Sequence, residues 1–185
     1  MPGDFHGAMN FAATLQAPVI FFCRNNGWAI STPTSEQYRG DGIASRAVGY
    51  GVHSIRVDGN DVLAVYAATK KAREIALKDC TPVLVEAMSY RVGHHSTSDD
   101  SSRYRDINRG YRRVDPISRF GSWVTNQGWW TAEEEDELRK IVQADILKAI
   151  KEAEAAPKVP VDELFNDVYH ELTPHLKVCI NIPTI

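Results

Sequence analysis

Between Arg91 and Asp100 the chain reads Arg-Val-Gly-His-His-Ser-Thr-Ser-Asp-Asp, so His94, His95, three hydroxyls and two carboxylates share one short polar run. An imidazole gives or takes a proton near neutral pH with little penalty. Hydroxyls can be phosphorylated, and carboxylates bind cations or orient a base. The run follows the apolar Pro82-Val83-Leu84-Val85. In an open α/β fold, ligands bind where loops leave the carboxyl ends of parallel strands. Residues 89–114 show no clear periodicity, and a loop of that length is usually functional or disordered. The arginines that recur from Arg91 to Arg119 would suit an anionic cofactor or an acidic partner. His94, His95, Asp99 and Asp100 could also be read as a hydrolytic metal site. Adjacent histidines on an extended loop diverge, which argues against that reading.

A second segment carries complementary chemistry. Val19-Ile20-Phe21-Phe22-Cys23 is a continuous apolar run, the pattern of a strand buried on both faces. It ends in Arg24-Asn25-Asn26-Gly27-Trp28. Amide oxygens are ligands for a hard cation such as Mg²⁺, and a guanidinium contacts phosphate in a two-pronged way. Gly27 permits a sharp turn. Alone, Asn-Asn-Gly after a strand is an ordinary turn.

The elements that must hold these residues follow from periodicity. A short helix is expected over residues 7–15, then a strand over 19–23. Residues 31–51 are rich in Gly, Ser, Thr and Arg and read as a long connection. A second strand falls at 55–57. Asn60 or Asp61 caps a helix to about Lys78, with Val62, Val65, Tyr66, Thr69, Ala72, Ile75 and Ala76 on its buried face. A third strand covers 83–87. Strand, helix, strand in that order implies a right-handed parallel crossover. Both polar loops would then leave one edge of the sheet. The last third reads as helical. A segment over 116–126 is ended by Gly128, and a longer helix is opened by a capping box of Thr131 and Glu134. That helix carries an apolar stripe of Leu138, Ile141, Val142, Ile146 and Ile150 and is ended by Pro157 and Pro160. Trp129 and Trp130 read as core or subunit-contact residues. The expected division is 1–115, a partial α/β domain with the polar loop, and 116–185, a helical extension.

Taken together, the segments carry a family resemblance. Gly3-Asp4-Phe5-His6-Gly7-Ala8-Met9-Asn10-Phe11-Ala12-Ala13, followed by Cys23-Arg24-Asn25-Asn26-Gly27-Trp28-Ala29-Ile30-Ser31-Thr32-Pro33, resembles the second half of the thiamine diphosphate motif. Tyr90-Arg91-Val92-Gly93-His94-His95-Ser96-Thr97-Ser98-Asp99-Asp100-Ser101-Ser102 resembles the phosphorylation loop of alpha subunits of branched-chain 2-oxo acid dehydrogenase decarboxylase components. Pyruvate dehydrogenase relatives carry a single His-Ser there, in a different frame. The resemblance runs from about Gly3 to about Leu172.

It implies a thiamine diphosphate-binding α/β fold, a parallel sheet flanked by helices with a C-terminal helical extension, truncated on its N-terminal side. It also implies oxidative decarboxylation of branched-chain 2-oxo acids, with acyl transfer to a lipoyl carrier. Thiamine diphosphate and Mg²⁺ are the implied cofactors. Arg24 then contacts the diphosphate, Asn26 ligates the metal through its side chain and Trp28 through its backbone carbonyl, while Asn25 supports the turn. His95 is the catalytic histidine beside the cofactor, with Arg91 and His94 in support. Glu86, Asp99 and Asp100 are candidates for holding the loop. Ser96 is the phosphorylation site, where a phosphate would repel the bound anions. A glutamate at Ser96 is expected to cost more activity than one at Ser98 or Ser101, through a partly desolvated and salt-resistant interaction. A second family phosphosite follows Tyr-Arg, but Tyr104-Arg105 is followed here by Asp106. The implied partners are a beta subunit in an α2β2 heterotetramer, a lipoyl acyltransferase core, and a regulatory kinase and phosphatase. The implied compartment is the mitochondrial matrix in a eukaryote, or the cytoplasm in a bacterium.

Two departures qualify this. The family's acidic metal ligand belongs to a Gly-acidic-Gly element that precedes the first residue here. The end from Lys177 to Ile185 is apolar where the family has a charged helical tail. The isolated chain is therefore expected to be inactive, and the competing reading is a non-catalytic module that docks a beta subunit or kinase. The composition is that of an ordinary soluble domain: 185 residues, 43% hydrophobic and 24% charged. A net charge of −3 makes no general case for nucleic acid or membrane. Cys23, Cys80 and Cys179 form neither a metal spacing nor a disulfide framework, which points to a reducing compartment.

Overall fold

The structure is a computed structural model that describes residues 3–106 and 115–180, apart from the side chain of residue 162. Residues 107–114 of the expected loop and 181–185 of the apolar tail lie outside the described residues, as do 1 and 2. The chain divides into two compact units, 1–130 and 131–185. The expected division after residue 115 does not coincide with this one. The helix Pro116–Asn126 belongs to the first unit, where Arg119 pairs with Asp58 at 2.8 Å and with Asp61 at 3.4 Å.

The first unit is built on a parallel sheet of three strands. Helix α1 (Gly3–Thr14) leads to β1 (Ile20–Asn25). A short hairpin follows, β2 (Trp28–Ala29) against β3 (Thr32–Pro33). Helix α2 (Thr34–Gln37) and a 3₁₀ segment, Ala44–Tyr50, occupy the expected long connection and lead to β4 (His53–Asp58). Helix α3 (Val62–Asp79) crosses over to β5 (Val83–Met88). The strand order is β1-β5-β4, with both pairs parallel. Asn25 and Asp58 both register with Met88, so the three carboxyl ends lie level. The turn after β1, the Gly59-Asn60 step and the loop after β5 therefore leave one edge, as the crossover predicts.

The continuous apolar run at β1 does not make it the buried strand. Phe22 is 43% exposed, and among the described residues β1 is an edge strand paired only with β5. The central strand β5 is buried from Val83 to Ala87. One face of the sheet packs Leu84 with Met9, Ile43, Ala47 and Val52. The other packs Val83 and Val85 with Ala72 and Ala76. Helix α3 is capped by Asp61, whose side chain accepts from the backbone N–H of Leu63 and Ala64. Of the face expected, Ala72 and Ala76 are buried and Ile75 packs against them, while Val62 and Tyr66 are exposed and Ala68 completes a small buried stripe. Alanine lets the helix axis approach the sheet closely, and the larger side chains flank that contact. Helix α4 (Pro116–Asn126) is capped by Asp115, and Gly128 follows it with φ 71°.

In the second unit, α5 (Ala132–Ala155) begins with the expected reciprocal capping box of Thr131 and Glu134. A 3₁₀ segment, Val161–Phe165, and α6 (Pro174–Ile180) follow. The stripe from Leu138 to Ile150 is exposed on this chain.

Candidate functional site

At the end of β1 the backbone turns through Asn25, Asn26 and Gly27, which has φ 80°. Asn25 Oδ1 accepts from the Gly27 N–H at 3.0 Å, and Asn26 Oδ1 accepts from the Trp28 N–H at 3.0 Å. The two asparagines thus form overlapping side-chain turns. Asn25 supports the turn, as expected. The Thr34 N–H donates to the Gly27 carbonyl at 2.9 Å, which makes Gly27 and Thr34 a hydrogen-bonded pair. The alternation of an antiparallel ladder then makes Trp28 and Pro33 the non-bonded pair. The Trp28 carbonyl consequently points away from its hairpin partner, and Pro33 has no N–H to offer it. The turn presents amide and carbonyl oxygens, neutral donors of the kind Mg²⁺ accepts alongside water. Among the described residues no cluster of three or more His, Cys, Asp or Glu side chains could hold a metal.

The loop after β5 is tied to this hairpin. Arg91 donates from Nη2 to the Ile30 carbonyl at 3.1 Å and to the Tyr104 hydroxyl at 2.8 Å. Ile30 sits at φ 55°, a left-handed conformation costly for a β-branched residue, so Arg91 clasps the one strained residue of the hairpin tip. The Tyr104 and Trp28 rings lie 5.6 Å apart. The two segments singled out in the sequence therefore meet.

Within the loop, Asp99 Oδ2 accepts from the His95 backbone N–H at 2.8 Å and from the Tyr104 hydroxyl at 2.7 Å. These bonds hold its carboxyl below the usual aspartate range, the His95 N–H contributing most. Arg105 is buried and donates to the carbonyls of Arg91 and Gly93, with its guanidinium 4.9 Å over the Tyr90 ring. His94 Nδ1 accepts from the Ser101 N–H at 3.0 Å, which places the proton of the neutral ring on Nε2. His94 thus supports the loop. The imidazole of His95 is exposed beside it. The hydrolytic metal reading fails on this geometry, since His94 Nδ1 and Asp99 Oδ2 are engaged by backbone N–H groups of the loop and no metal-holding cluster forms among the described residues.

Arg24, Asn26 and Arg91 line one cleft of about 720 Å³, with Ser89, Asn60 and Gly59 on its sheet side. Arg91 Nε is buried with no hydrogen-bond partner among the described residues. A buried orphan donor is uncommon and marks a place for an acceptor. Two guanidiniums and an amide in one cleft are donors of the kind a diphosphate accepts from, and the Asp115 carboxylate lines the same cleft. The cleft does not include His94, His95, Ser96 or Trp28. Ser96 and Ser98 are both exposed, with their hydroxyls 3.2 Å apart. Ser101 is fully buried against His94 and Arg105. The three serines are therefore not equivalent sites for a charge comparison. The exposure of Ser96 also means that salt must screen a charge there.

Sequence reasoning missed the roles of Tyr104 and Arg105. Their partners lie a dozen or so positions away along an aperiodic loop, and spacing rules do not reach across such a loop. It also gives Glu86 no more than a place in holding the loop. A lone acid within the apolar run of a central strand is its one further signal.

Residues 2–162 match the family model described as "Dehydrogenase E1 component". The chain is similar to the mitochondrial 2-oxoisovalerate dehydrogenase subunit alpha of Macaca fascicularis, 57% identical over 95% of this chain and 40% of that protein. The Homo sapiens subunit is 56% identical over the same shares. The Arabidopsis thaliana subunit alpha 1 is 55% identical over 90% of this chain and 36% of that protein. The chain spans about two fifths of the length of these curated relatives. With nearly the whole first unit and part of the second inside the match, the chain belongs to the dehydrogenase E1 component family.

Proposed function

We propose that this chain is part of the alpha subunit of a mitochondrial branched-chain 2-oxo acid dehydrogenase, and that its loops form one wall of a thiamine diphosphate site. The observation that carries this reading is the junction at the sheet edge. Arg24, Asn26 and Arg91 line one cleft, and Arg91 couples the hairpin to the loop of His95. Bound thiamine diphosphate would supply the carbanion-stabilising chemistry of decarboxylation. Arg24 and Arg91 would hold its diphosphate, and Asn26 Oδ1 with the Trp28 carbonyl would hold Mg²⁺. The turn carries no carboxylate, so the metal's charge is to be balanced by the diphosphate and an acid from elsewhere in the longer subunit. His95, exposed with its backbone fixed by Asp99, would move a proton at the substrate oxygen. The acyl group would pass to a lipoyl carrier on an acyltransferase core. A beta subunit, a kinase acting on Ser96 and a phosphatase complete the set of partners.

Calorimetric titration with thiamine diphosphate and Mg²⁺ tests the reading. This chain alone should bind weakly or not at all. The longer subunit assembled with its beta partner should bind tightly and turn over 2-oxoisovalerate. There, His95→Ala should lower turnover by about a hundredfold or more with cofactor binding retained. Wild-type turnover in that variant would remove His95 from the reaction. Absence of cofactor binding in the assembled subunit would leave the docking-module reading.

A further inference from the structure

The mechanism does not use Glu86, yet both oxygens of its carboxylate are fully engaged at the sheet edge. It lies on the central strand and is fully buried. Its Oε1 accepts from Asn25 Nδ2 and from the Ile43 N–H, both at 2.8 Å. Its Oε2 accepts from the Ala44 N–H at 2.8 Å and from Arg56 Nε at 3.0 Å. Arg56 in turn grips Asp41 through Nη1 at 2.9 and 3.0 Å. One carboxylate thus joins the ends of β1 and β4 to the connection entering the 3₁₀ segment. Gly42 closes this bracket at φ 67°, where an added Cβ would lie 2.8 and 2.9 Å from the two Glu86 oxygens.

The chemistry of the Asn25 amide makes this more than a structural tie. Asn25 is buried, and its two ends face different partners: Nδ2 meets Glu86, and Oδ1 meets the Gly27 N–H. Nδ2 also lies 3.4 Å from the Tyr38 hydroxyl. A carboxylate only accepts, so it dictates which way the amide points. We propose that Glu86 is a positioning residue for the turn from Asn25 to Trp28, acting by orienting the Asn25 amide so that its oxygen fixes the Gly27 N–H. That this turn serves a metal-bound diphosphate rests on the function proposed above.

Glu86→Gln breaks the orientation while keeping the shape. The new side-chain NH₂ must face donors at one oxygen position or the other. Opposite Ala44 and Arg56 both donors are fixed. Opposite Asn25 and Ile43 only the Ile43 N–H is fixed, so the NH₂ is less costly there, and its conflict with Asn25 is relieved if Asn25 flips, which turns its own NH₂ onto the Gly27 N–H and opens the turn. Adding Asn25→Asp to Glu86→Gln supplies an acceptor both to that NH₂ and to the Gly27 N–H without flipping, so the double exchange should restore the turn.

Amide hydrogen exchange of this chain, resolved by residue, reads the effect. In Glu86→Gln, Gly27 should exchange about tenfold faster, the loss of one hydrogen bond, while the β4–β5 ladder keeps its protection. Asn25→Ala should do the same with Glu86 intact, and it covers the case in which Glu86→Gln fails to fold. The double variant should bring Gly27 back towards wild type. Unchanged Gly27 exchange in the single variants, equal loss of protection throughout the sheet, or no recovery in the double variant would each overturn the proposal. Titration of Mg²⁺ and thiamine diphosphate into the assembled subunit separates it from the function. A loosened turn with unaltered cofactor affinity would sustain the positioning role and refute the assignment of cofactor to this turn.

Discussion

Glu86 gathers donors from three segments while fully buried, whereas Asp99 gathers two donors from its own loop nearer the surface. Burial pushes the Glu86 carboxyl up. The Asn25 amide, the N–H groups of Ala44 and Ile43, and Arg56 outweigh it and hold the group below the usual glutamate range. Asp99 reaches a depressed value with little burial to oppose, mainly through the His95 N–H. A buried, saturated carboxylate cannot change partners without exposing donors, so it fixes a frame. An accessible one can be competed away by water, salt or a new charge, so its loop can be switched. The frame holds the turn of Asn26, and the switchable loop holds His95 and Ser96.

Removing each carboxylate breaks the comparison most directly. Glu86→Ala should lower unfolding stability by several kcal/mol, about 1–3 kcal/mol for each buried donor left unpaired, namely the Asn25 amide and the N–H groups of Ile43 and Ala44, while Arg56 keeps Asp41. Asp99→Ala should leave the global midpoint unchanged while freeing Tyr104 and loosening the loop. Urea denaturation of this chain measures the first. Trp28 emission, with Trp123, Trp129 and Trp130 replaced by Phe, reads the second through the Trp28–Tyr104 contact. A comparable loss of stability in both variants would erase the distinction.

Gly42→Ala attacks the frame without touching its charges. The backbone is at φ 67°, and the new methyl would press on Arg56 and Glu86. A cost of about 1–3 kcal/mol is expected from strain and overpacking together. Thermal melts would show it, and an unchanged midpoint would mean that the bracket yields easily.

How far these roles were legible depends on their range along the chain. Caps and turns were readable, because Thr131 and Glu134, or Asn25 and Gly27, are near neighbours whose geometry follows from spacing. The parallel crossover was readable from the order of apolar segments. The frame was not, since Glu86 bonds to residues 30 to 61 positions away. Pattern alone also read β1 as a strand buried on both faces, but Phe22 is exposed. β1 is as apolar as β5, and among the described residues it is an edge strand. The candidate site was legible as two segments. Their coupling through Arg91, Tyr104 and Ile30 was not, because nothing in a hairpin tip announces a strained residue that needs an arginine.

Acid and salt sharpen the comparison further. Both carboxyls have folded-state values below their unfolded ones. Each contribution is therefore fully present above the unfolded value, about 4.3 for Glu and 3.9 for Asp, and is lost as pH falls through the folded value. Both transitions should lie in the acid range, and salt should tell them apart. The Asp99 transition, read by Trp28 emission, should move with ionic strength, since exposed charges are screened within about a Debye length of 8 Å. The Glu86 transition, read by the far-ultraviolet signal of the sheet, should not move. In Glu86→Gln the acid-dependent part of the sheet's stability should shrink.

The smallest expected effect tests whether the loop responds to local charge. Ser96 and Ser98 are both exposed and 3.2 Å apart, so a glutamate at either meets nearly the same solvent. They differ in their neighbours. Ser96 adjoins His95, and its carbonyl accepts the Asp99 N–H at 3.2 Å. In the assembled enzyme Ser96→Glu should reduce turnover partially, because glutamate carries only part of a phosphate's charge. Ser98→Glu should reduce it less, and raising the salt should narrow the gap. Ser101→Glu is a different experiment. Its side chain is fully buried against His94 and Arg105, so it should collapse the loop at any ionic strength. Kinetics of the three variants at matched low and high salt would decide. Equal, salt-independent losses at Ser96 and Ser98 would mean that any substitution disorders the loop. A gap that closes with salt would assign the effect to charge beside His95.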